Sequence, residues 1–208
     1  FLLTLGSSCH YLAGSQDRYV LFDLGLSAHV PYLLERIVAQ GIDPAKISSI
    51  FLTHQHPERI AGAALFKKAY PRVEIRAGLH LGEHLSNPDN LKALWDADRE
   101  YSASLPPLPD SVKPIEFAEF RDLFRFGKPL IDGEQVDISS ECAVRVLHSA
   151  GHSKLAVAFL MLSSHFLIAD EVLGVVTGGT LVTPAPDESI EDTLKLVEKL
   201  LDLEIQGL

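Results

Sequence analysis

The chain reads as an α/β protein, and three observations carry that reading. Short apolar runs with strand character alternate with stretches of helical periodicity. Val30, Leu33, Leu34, Ile37 and Val38 recur at i, i+3, i+4, i+7 and i+8, one face of an amphipathic helix. The buried-type run Ile50-Phe51-Leu52 leads straight into Thr53-His54-Gln55-His56-Pro57-Glu58-Arg59, a polar cluster followed by the small residues Ala61, Gly62, Ala63 and Ala64. Side chains at the end of such a strand face the crevice where an open sheet presents its ligands.

In chain order, Phe1 to Leu5, His10 to Ala13 and Tyr19 to Asp23 read as three short strands. Gly6-Ser7-Ser8 and Gly14-Ser15-Gln16-Asp17 are the turns between them, so a meander is expected. The helix over Val30 to Val38 stops at Gly41, the residue type that closes a helix most readily. Ile47 to Leu52 is the strand that delivers the histidines, and Val73 to Arg76 is a further strand after Tyr70-Pro71. From about 79 to 130 the chain leaves this rhythm. Leu91, Leu94, Trp95 and Asp98 mark a helix opened by Asn87-Pro88-Asp89, whereas Leu105-Pro106-Pro107-Leu108-Pro109 excludes regular helix. Phe117, Phe120, Phe124 and Phe126 place four of the ten phenylalanines in ten residues. They read as rings packed on the core, with a pocket wall or homodimer face as the other reading.

Asp132-Gly133 is a turn. Ala143 to His148, Ala156 to Leu162 and His165 to Ile168 read as strands, the last two joined through Ser163-Ser164. Thr177-Gly178-Gly179-Thr180 reads as a flexible loop. Asp187 or Ser189 caps a last helix that carries Ile190, Leu194, Val197 and Leu201 on one face.

Composition narrows the function. The chain has 208 residues, 47% hydrophobic and 22% charged, which suits one globular domain spanning 1–208 with 79–130 as a helical and Pro-rich excursion over the site. Twenty-eight acidic residues against 18 basic ones leave a net charge of −10, the wrong sign for a phosphate-backbone partner, so no nucleic acid is expected. No apolar run reaches the ~18 residues of a membrane span. Phe1 to Leu5 is too short for a secretory leader. Cys9 and Cys142 are far apart and fit free thiols in a reducing cytoplasm.

His54 and His56 alternate on an extended segment, so both imidazoles point the same way. Such a pair is either a transition-metal ligand pair or two solvated loop histidines. The stretch resembles the metallo-β-lactamase superfamily, whose signature is Thr-His-x-His-x-Asp-His-x-Gly-Gly. Three further segments are similar to that family: Tyr19 to Gly25 matches Leu-Ile-Asp-x-Gly, Ser149-Ala150-Gly151-His152-Ser153 matches Thr-Pro-Gly-His-Thr, and Ile168 to Leu173 matches Thr-Gly-Asp-x-Leu. The resemblance implies an αββα sandwich of two mixed sheets with helices outside. It implies that His54, His56 and His152 are metal ligands, that Asp170 is a ligand and catalytic residue, and that Asp23 is a supporting residue. The departures are Glu58 where the family has Asp and Arg59 where most members have His. The family's last ligand, a His in Pro-Gly-His-Gly, would fall beyond Leu208, in a further C-terminal segment.

Arginine does not bind a cation and stays protonated. The resemblance therefore implies at most one tightly bound ion, zinc with iron or manganese as alternatives. Three histidines with an open position suit hydrolysis of a small ester, thioester, lactone or amide by a metal-activated water, with Glu58 as general base. The alternative is a degenerate, non-hydrolytic member that binds a ligand or senses metal or oxygen. Arg59 is expected to supply the supporting cation in the second metal's place, facing Asp170 or Glu58. His80 and His84, four apart, read as solvated surface rather than a second metal pair. His10, His29, His148 and His165 read as surface or core histidines.

Overall fold

The computed structural model describes residues 1–5, 8–169, 171–177, 181–183 and 189–207. Its first sheet has the order β1-β2-β3-β4-β5, built from Leu2–Leu5, Ser8–Ser15, Arg18–Phe22, Ile47–Leu52 and Glu74–Ala77. The first three strands form the antiparallel meander, while β3–β4 and β4–β5 are parallel. The second sheet has the order β6-β7-β8-β9, over Gln135–Ser139, Cys142–His148, Val157–Met161 and Leu167–Ile168, antiparallel throughout. Strand β6 is one the sequence reading did not contain: Gln135, Asp137 and Ser139 alternate with Val136 and Ile138, too polar to stand out.

Period-two alternation assigns each strand's two faces. Val20, Phe22 and Phe51 of the first sheet meet Val144, Val146, Val157 and Phe159 of the second in one cluster. Phe22 packs on Phe51 and Phe159 at ring separations of 5.6 and 5.1 Å. The intervening residues Leu21, Ile50 and Leu52 face the other way, into a core with Val30, Leu33 and Ile37 of helix α1 (Val30–Ala39). On the far side Leu147, Ala158 and Leu160 pack on Leu196 and Leu200 of the last helix. The result is helix, sheet, sheet, helix: an αββα sandwich.

The chain between the sheets carries the remaining helices. Pro57–Ile60 and Ala63–Ala69 form α2 and α3 directly after the histidine segment. The excursion forms α4 (Leu79–Ser86), α5 (Pro88–Ser102) and α6 (Phe117–Leu123). Helix α4 is absent from the sequence reading, because Gly82 and two histidines weaken its pattern. Asn87 accepts a hydrogen bond from Asp89 N at 2.8 Å, the cap that the Asn-Pro-Asp opening foretells. Helix α5 packs against α2, and Asp98, buried, accepts from Ser27 N at 2.8 Å. The excursion thus packs on the first layer's helices. Phe120 and Phe124 are buried in the same core.

Two expectations change. Thr177 does not open a free loop: Val175–Thr177 and Leu181–Thr183 pair as the antiparallel strands β10 and β11, while residues 178–180 between them lie outside the described residues. In the last helix, α7 (Ile190–Leu201), Ser189 caps the N-terminus by accepting from Asp192 N at 3.1 Å. The alternative cap, Asp187, lies outside the described residues. The face is the correction. Leu196 and Leu200 are buried, whereas Ile190, Leu194 and Leu201 are 66%, 59% and 79% exposed. Helix α7 carries two apolar stripes, and periodicity alone does not say which of them meets the sheet.

His10 of β2 is fully buried beside the Asp23 backbone. Burial, helped by the nearby His29 and Arg59, pulls its pKa from the ordinary 6.5 down to about 4. The folded chain therefore needs His10 neutral, while the unfolded chain accepts a proton near pH 6.5. This contribution is fully present above that pH and is lost as pH falls toward 4, by about 3 kcal/mol. His10→Leu should flatten urea-unfolding stability over that pH window by about this amount. An unchanged pH slope in the variant would contradict the assignment.

Candidate metal centre

The site is built where both sheets end. Strand β4 delivers Thr53, His54 and His56, and strand β7 runs through His148 into the loop that carries His152. Gly151 makes that loop's close approach to α7 feasible. It sits at φ +142°, and a Cβ there would lie 2.9 Å from Thr193 Cα. Gly25, at φ +75°, serves the first loop: a Cβ would collide with His29 Nδ1.

The three histidines expected as ligands are brought together. Ring centroids of His54–His56, His54–His152 and His56–His152 lie 4.6, 5.1 and 4.8 Å apart. One ligand atom from each lies within 4.8 Å of the others. His152 Nε2 is 3.4 Å from His56 Nδ1. Two nitrogens bound tetrahedrally to one zinc at ordinary Zn–N lengths are about 3.3 Å apart, so that spacing suits a shared ion. His54 Nε2 is buried with no hydrogen-bond partner among the described residues. A buried polar atom left unpaired is costly, and a cation at the focus of the three rings would satisfy it.

The other face of His54 shows why Nε2 is the atom left over. Asp23 has φ +53°, a left-handed conformation that aspartate tolerates better than most residues. From there its carboxylate accepts from Thr53 N at 2.9 Å and from the Thr53 hydroxyl at 2.7 Å. With its hydroxyl proton given to Asp23, Thr53 Oγ1 must accept from His54 Nδ1, 2.9 Å away. That fixes the tautomer: the proton is on Nδ1 and the lone pair on Nε2. Burial, together with His56, Arg59 and His152, pulls the His54 pKa well down, so the ring is neutral as a metal ligand must be.

The acidic residues divide. Asp170 lies outside the described residues. Glu58, on the first turn of α2 and 43% exposed, has Oε1 3.8 Å from His56 Nδ1. Arg59 Nη2 donates to Glu171 Oε1 at 2.6 Å; of its two expected partners, Glu58 contributes only through its charge and Asp170 lies outside the described residues. Glu58 leans toward solvent, whereas Glu171 opens a 3-10 turn, Glu171–Leu173, that points its carboxylate into the half-buried space beside Arg59. Burial opposes the charge on both members. The hydrogen bond and mutual attraction outweigh it, so Arg59 is pushed up and Glu171 pulled down, and both stay ionised.

Glu171 is the residue the sequence reading missed. It occupies the variable position of the matched motif, and no signal in the sequence separates it from its neighbours. Its other oxygen is 3.7 Å from His152 Nε2. With His56 and Glu58 it makes a second group whose ligand atoms lie within 4.8 Å of one another.

His80, His84, His148 and His165 stand apart from this centre. His80 packs on His148 at 5.8 Å, and His84 Nδ1 lies 3.2 Å from Asn90 Nδ2, so the two residues of α4 have separate partners. His165 Nδ1 pairs with Glu204 O. A cavity of about 380 Å3 lies not at the histidines but between α5 and the Pro-rich segment, walled by Trp95, Pro106, Pro107 and Phe120. It has no histidine in its lining, so the chemistry belongs to the strand ends rather than to this hollow. Among the described residues, no helix is long and apolar enough to cross a membrane.

A family model described as the metallo-beta-lactamase superfamily matches residues 3–204. No curated protein matches the chain. Among solved structures, a mutant of the Cronobacter sakazakii metallo-beta-lactamase with a HARLDQ motif superposes at TM-score 0.68 with 19% identity, covering 100% of this chain and 75% of that one. The Rm3 metallo-beta-lactamase superposes at 0.65 with 17% identity, over 98% of this chain and 71% of its own. An archaeal metallo-beta-lactamase superfamily protein from Sulfolobus tokodaii superposes at 0.65 with 16% identity, over 97% and 73%. At these identities the likeness is one of fold.

Thr53→Val keeps the volume but removes the hydroxyl that holds the His54 tautomer. It should weaken zinc binding about 10- to 100-fold, read by competition with a chelator. Affinity equal to that of the parent chain would show that the Asp23–Thr53–His54 relay does not orient the ligand.

Proposed function

The chain belongs to the metallo-beta-lactamase superfamily, and on that premise we propose that it is a metal-dependent hydrolase of a small ester, thioester, lactone or amide. The observation that carries this reading is the convergence of His54, His56 and His152 around the buried, unpartnered His54 Nε2. We assign the metal as zinc, with iron or manganese as alternatives, because three imidazole ligands suit each of them. When bound, such an ion polarises a carbonyl and lowers the pKa of water to about 7.

The chain's own residues supply the rest. His54, His56 and His152 hold the ion, and Asp23 fixes the orientation of His54 through Thr53. Asp170 serves as a further ligand and orients the attacking water, on the strength of its motif. Glu58, close to His56 and open to solvent, accepts the proton and can return it to the leaving group. The 79–130 excursion of the single 1–208 domain forms a wall of the substrate site. We expect neither nucleic acid nor membrane among the partners, given the net charge of −10. A second copy of the chain, in a homodimer, is the protein partner we propose. Free Cys9 and Cys142 support a cytoplasmic setting.

Arg59 sets the stoichiometry. Its guanidinium is a fixed cation among Asp23, Glu58 and Glu171, all of which favour its charge. It takes the place of a second metal in balancing those carboxylates, so one tightly bound ion per chain is the expected content. The ion pair that consumes Glu171 also favours a second reading, a non-hydrolytic member that binds a ligand or senses metal or oxygen. Turnover of a generic thioester separates the two readings.

Elemental analysis of the purified chain should return one equivalent of tightly held metal, and two equivalents would overturn the role given to Arg59. Arg59→His combined with Glu58→Asp should add one equivalent and change thioester hydrolysis. An unchanged metal content in that double variant would count against the substitution of guanidinium for metal.

A further inference from the structure

We propose that Gln55 and Ser153 form a side-chain clasp that sets the separation of the two ligand-bearing loops, which makes both of them positioning residues for the metal. The inference rests on the metal reading above. Gln55 is the residue between His54 and His56, and Ser153 follows His152. The Ser153 hydroxyl donates to Gln55 Oε1 at 2.7 Å. Ser153 Oγ in turn accepts from Leu155 N at 3.1 Å, so the hydroxyl's single proton is directed at Gln55. Ser153 is fully buried while Gln55 is half-buried, and a bond in such a place is shielded from competing water.

The position of the clasp gives it its role. His54 and His56 hang from the first sheet and His152 from the second, so no strand ladder fixes their mutual distance. A backbone bond, Val157 N to Thr53 O at 2.9 Å, ties the sheets one residue before His54. The Gln55–Ser153 bond ties the loops at the ligands themselves, between the two histidines of one loop and next to the histidine of the other. The His152 loop is also tied by Ser149 N to Ala156 O, Ala156 N to Ser153 O and Ser189 N to Gly151 O, but none of these backbone bonds reaches the segment that carries His54 and His56.

The test uses the full chain, with zinc as the probe and a chromophoric chelator as competitor. Gln55→Met, which keeps length but not polarity, and Ser153→Ala should each weaken zinc binding about tenfold or more. The double variant should be no weaker than the worse single one, because one shared bond is lost only once. Ser153→Thr, which retains the hydroxyl, should restore affinity. The visible spectrum of the cobalt-loaded chain should shift in the first two variants and return in the third. Gln55→Met tests the clasp even where Ser153→Ala fails to fold, since it leaves Ser153 bonded to Leu155. Variants that melt earlier without metal yet bind zinc as the parent does would reduce the clasp to a structural contact and overturn the proposal, as would additive losses. A parent chain that binds no zinc would overturn the metal reading and the clasp with it. Tight binding by the parent with unaffected variants would overturn the clasp alone.

Discussion

Three ring nitrogens carried by two different sheets have to meet at one point, and the packing of the two sheets on each other is what allows it. Phe22, Phe51 and Phe159 interlock between the sheets. Phe51 is three residues before His54, and Phe159 lies on the strand whose first amide, Val157 N, bonds to Thr53 O. The aromatic seam and the ligand cluster are therefore parts of one lever. Side chains in a close-packed interior transmit a change in volume rather than absorb it. A change in ring packing at the seam would be felt as a change in the spacing of His54, His56 and His152. The helices on the outer faces act at one remove, holding the sheets flat against each other through separate apolar clusters.

Charge is the second constraint. Asp23, Glu58 and Glu171 gather near His56 and Arg59, in a part of the fold that is half-buried or more. Carboxylates so placed raise one another's pKa unless a cation stands among them. Arg59 is that cation, and its planar fork binds Glu171 while its backbone carbonyl accepts from Leu24 N and Gly25 N at 2.8 and 2.9 Å. One residue thus joins the acidic floor to the loop that follows β3. The same loop holds Ser27, whose amide reaches Asp98 of α5. Through this chain of bonds the helical excursion is coupled to the metal centre.

Much of the α/β alternation was legible in the amino-acid sequence because its signals are local, while the αββα arrangement and the Gly151–His152 segment came from the family resemblance. The meander, the first helix and the histidine strand each depend on periodicity or turn chemistry within a few residues. The elements that escaped are those with weak local patterns. Strand β6 alternates among polar residues, α4 has a mid-helix glycine, and β10–β11 flank a glycine pair that reads as open loop. The three converging histidines were legible only through the resemblance of their strand-end motifs to the metallo-β-lactamase superfamily, since spacing alone left His54 and His56 as either a ligand pair or two loop histidines.

What the sequence by itself determined is therefore the strand-and-helix alternation and the approximate element boundaries, because each follows from chemistry between near neighbours in the chain, while the three histidines came from motifs that resemble those of a known family. Tertiary structure alone decided which stripe of α7 faces the sheet, that Arg59 pairs with Glu171 rather than Glu58, and that Gln55 meets Ser153. These pairings join residues 112 and 98 positions apart in the cases of Arg59 and Gln55. No periodicity or propensity spans such distances. They are set by how two sheets and their loops close on one another, where burial and charge select one partner from several of the same type.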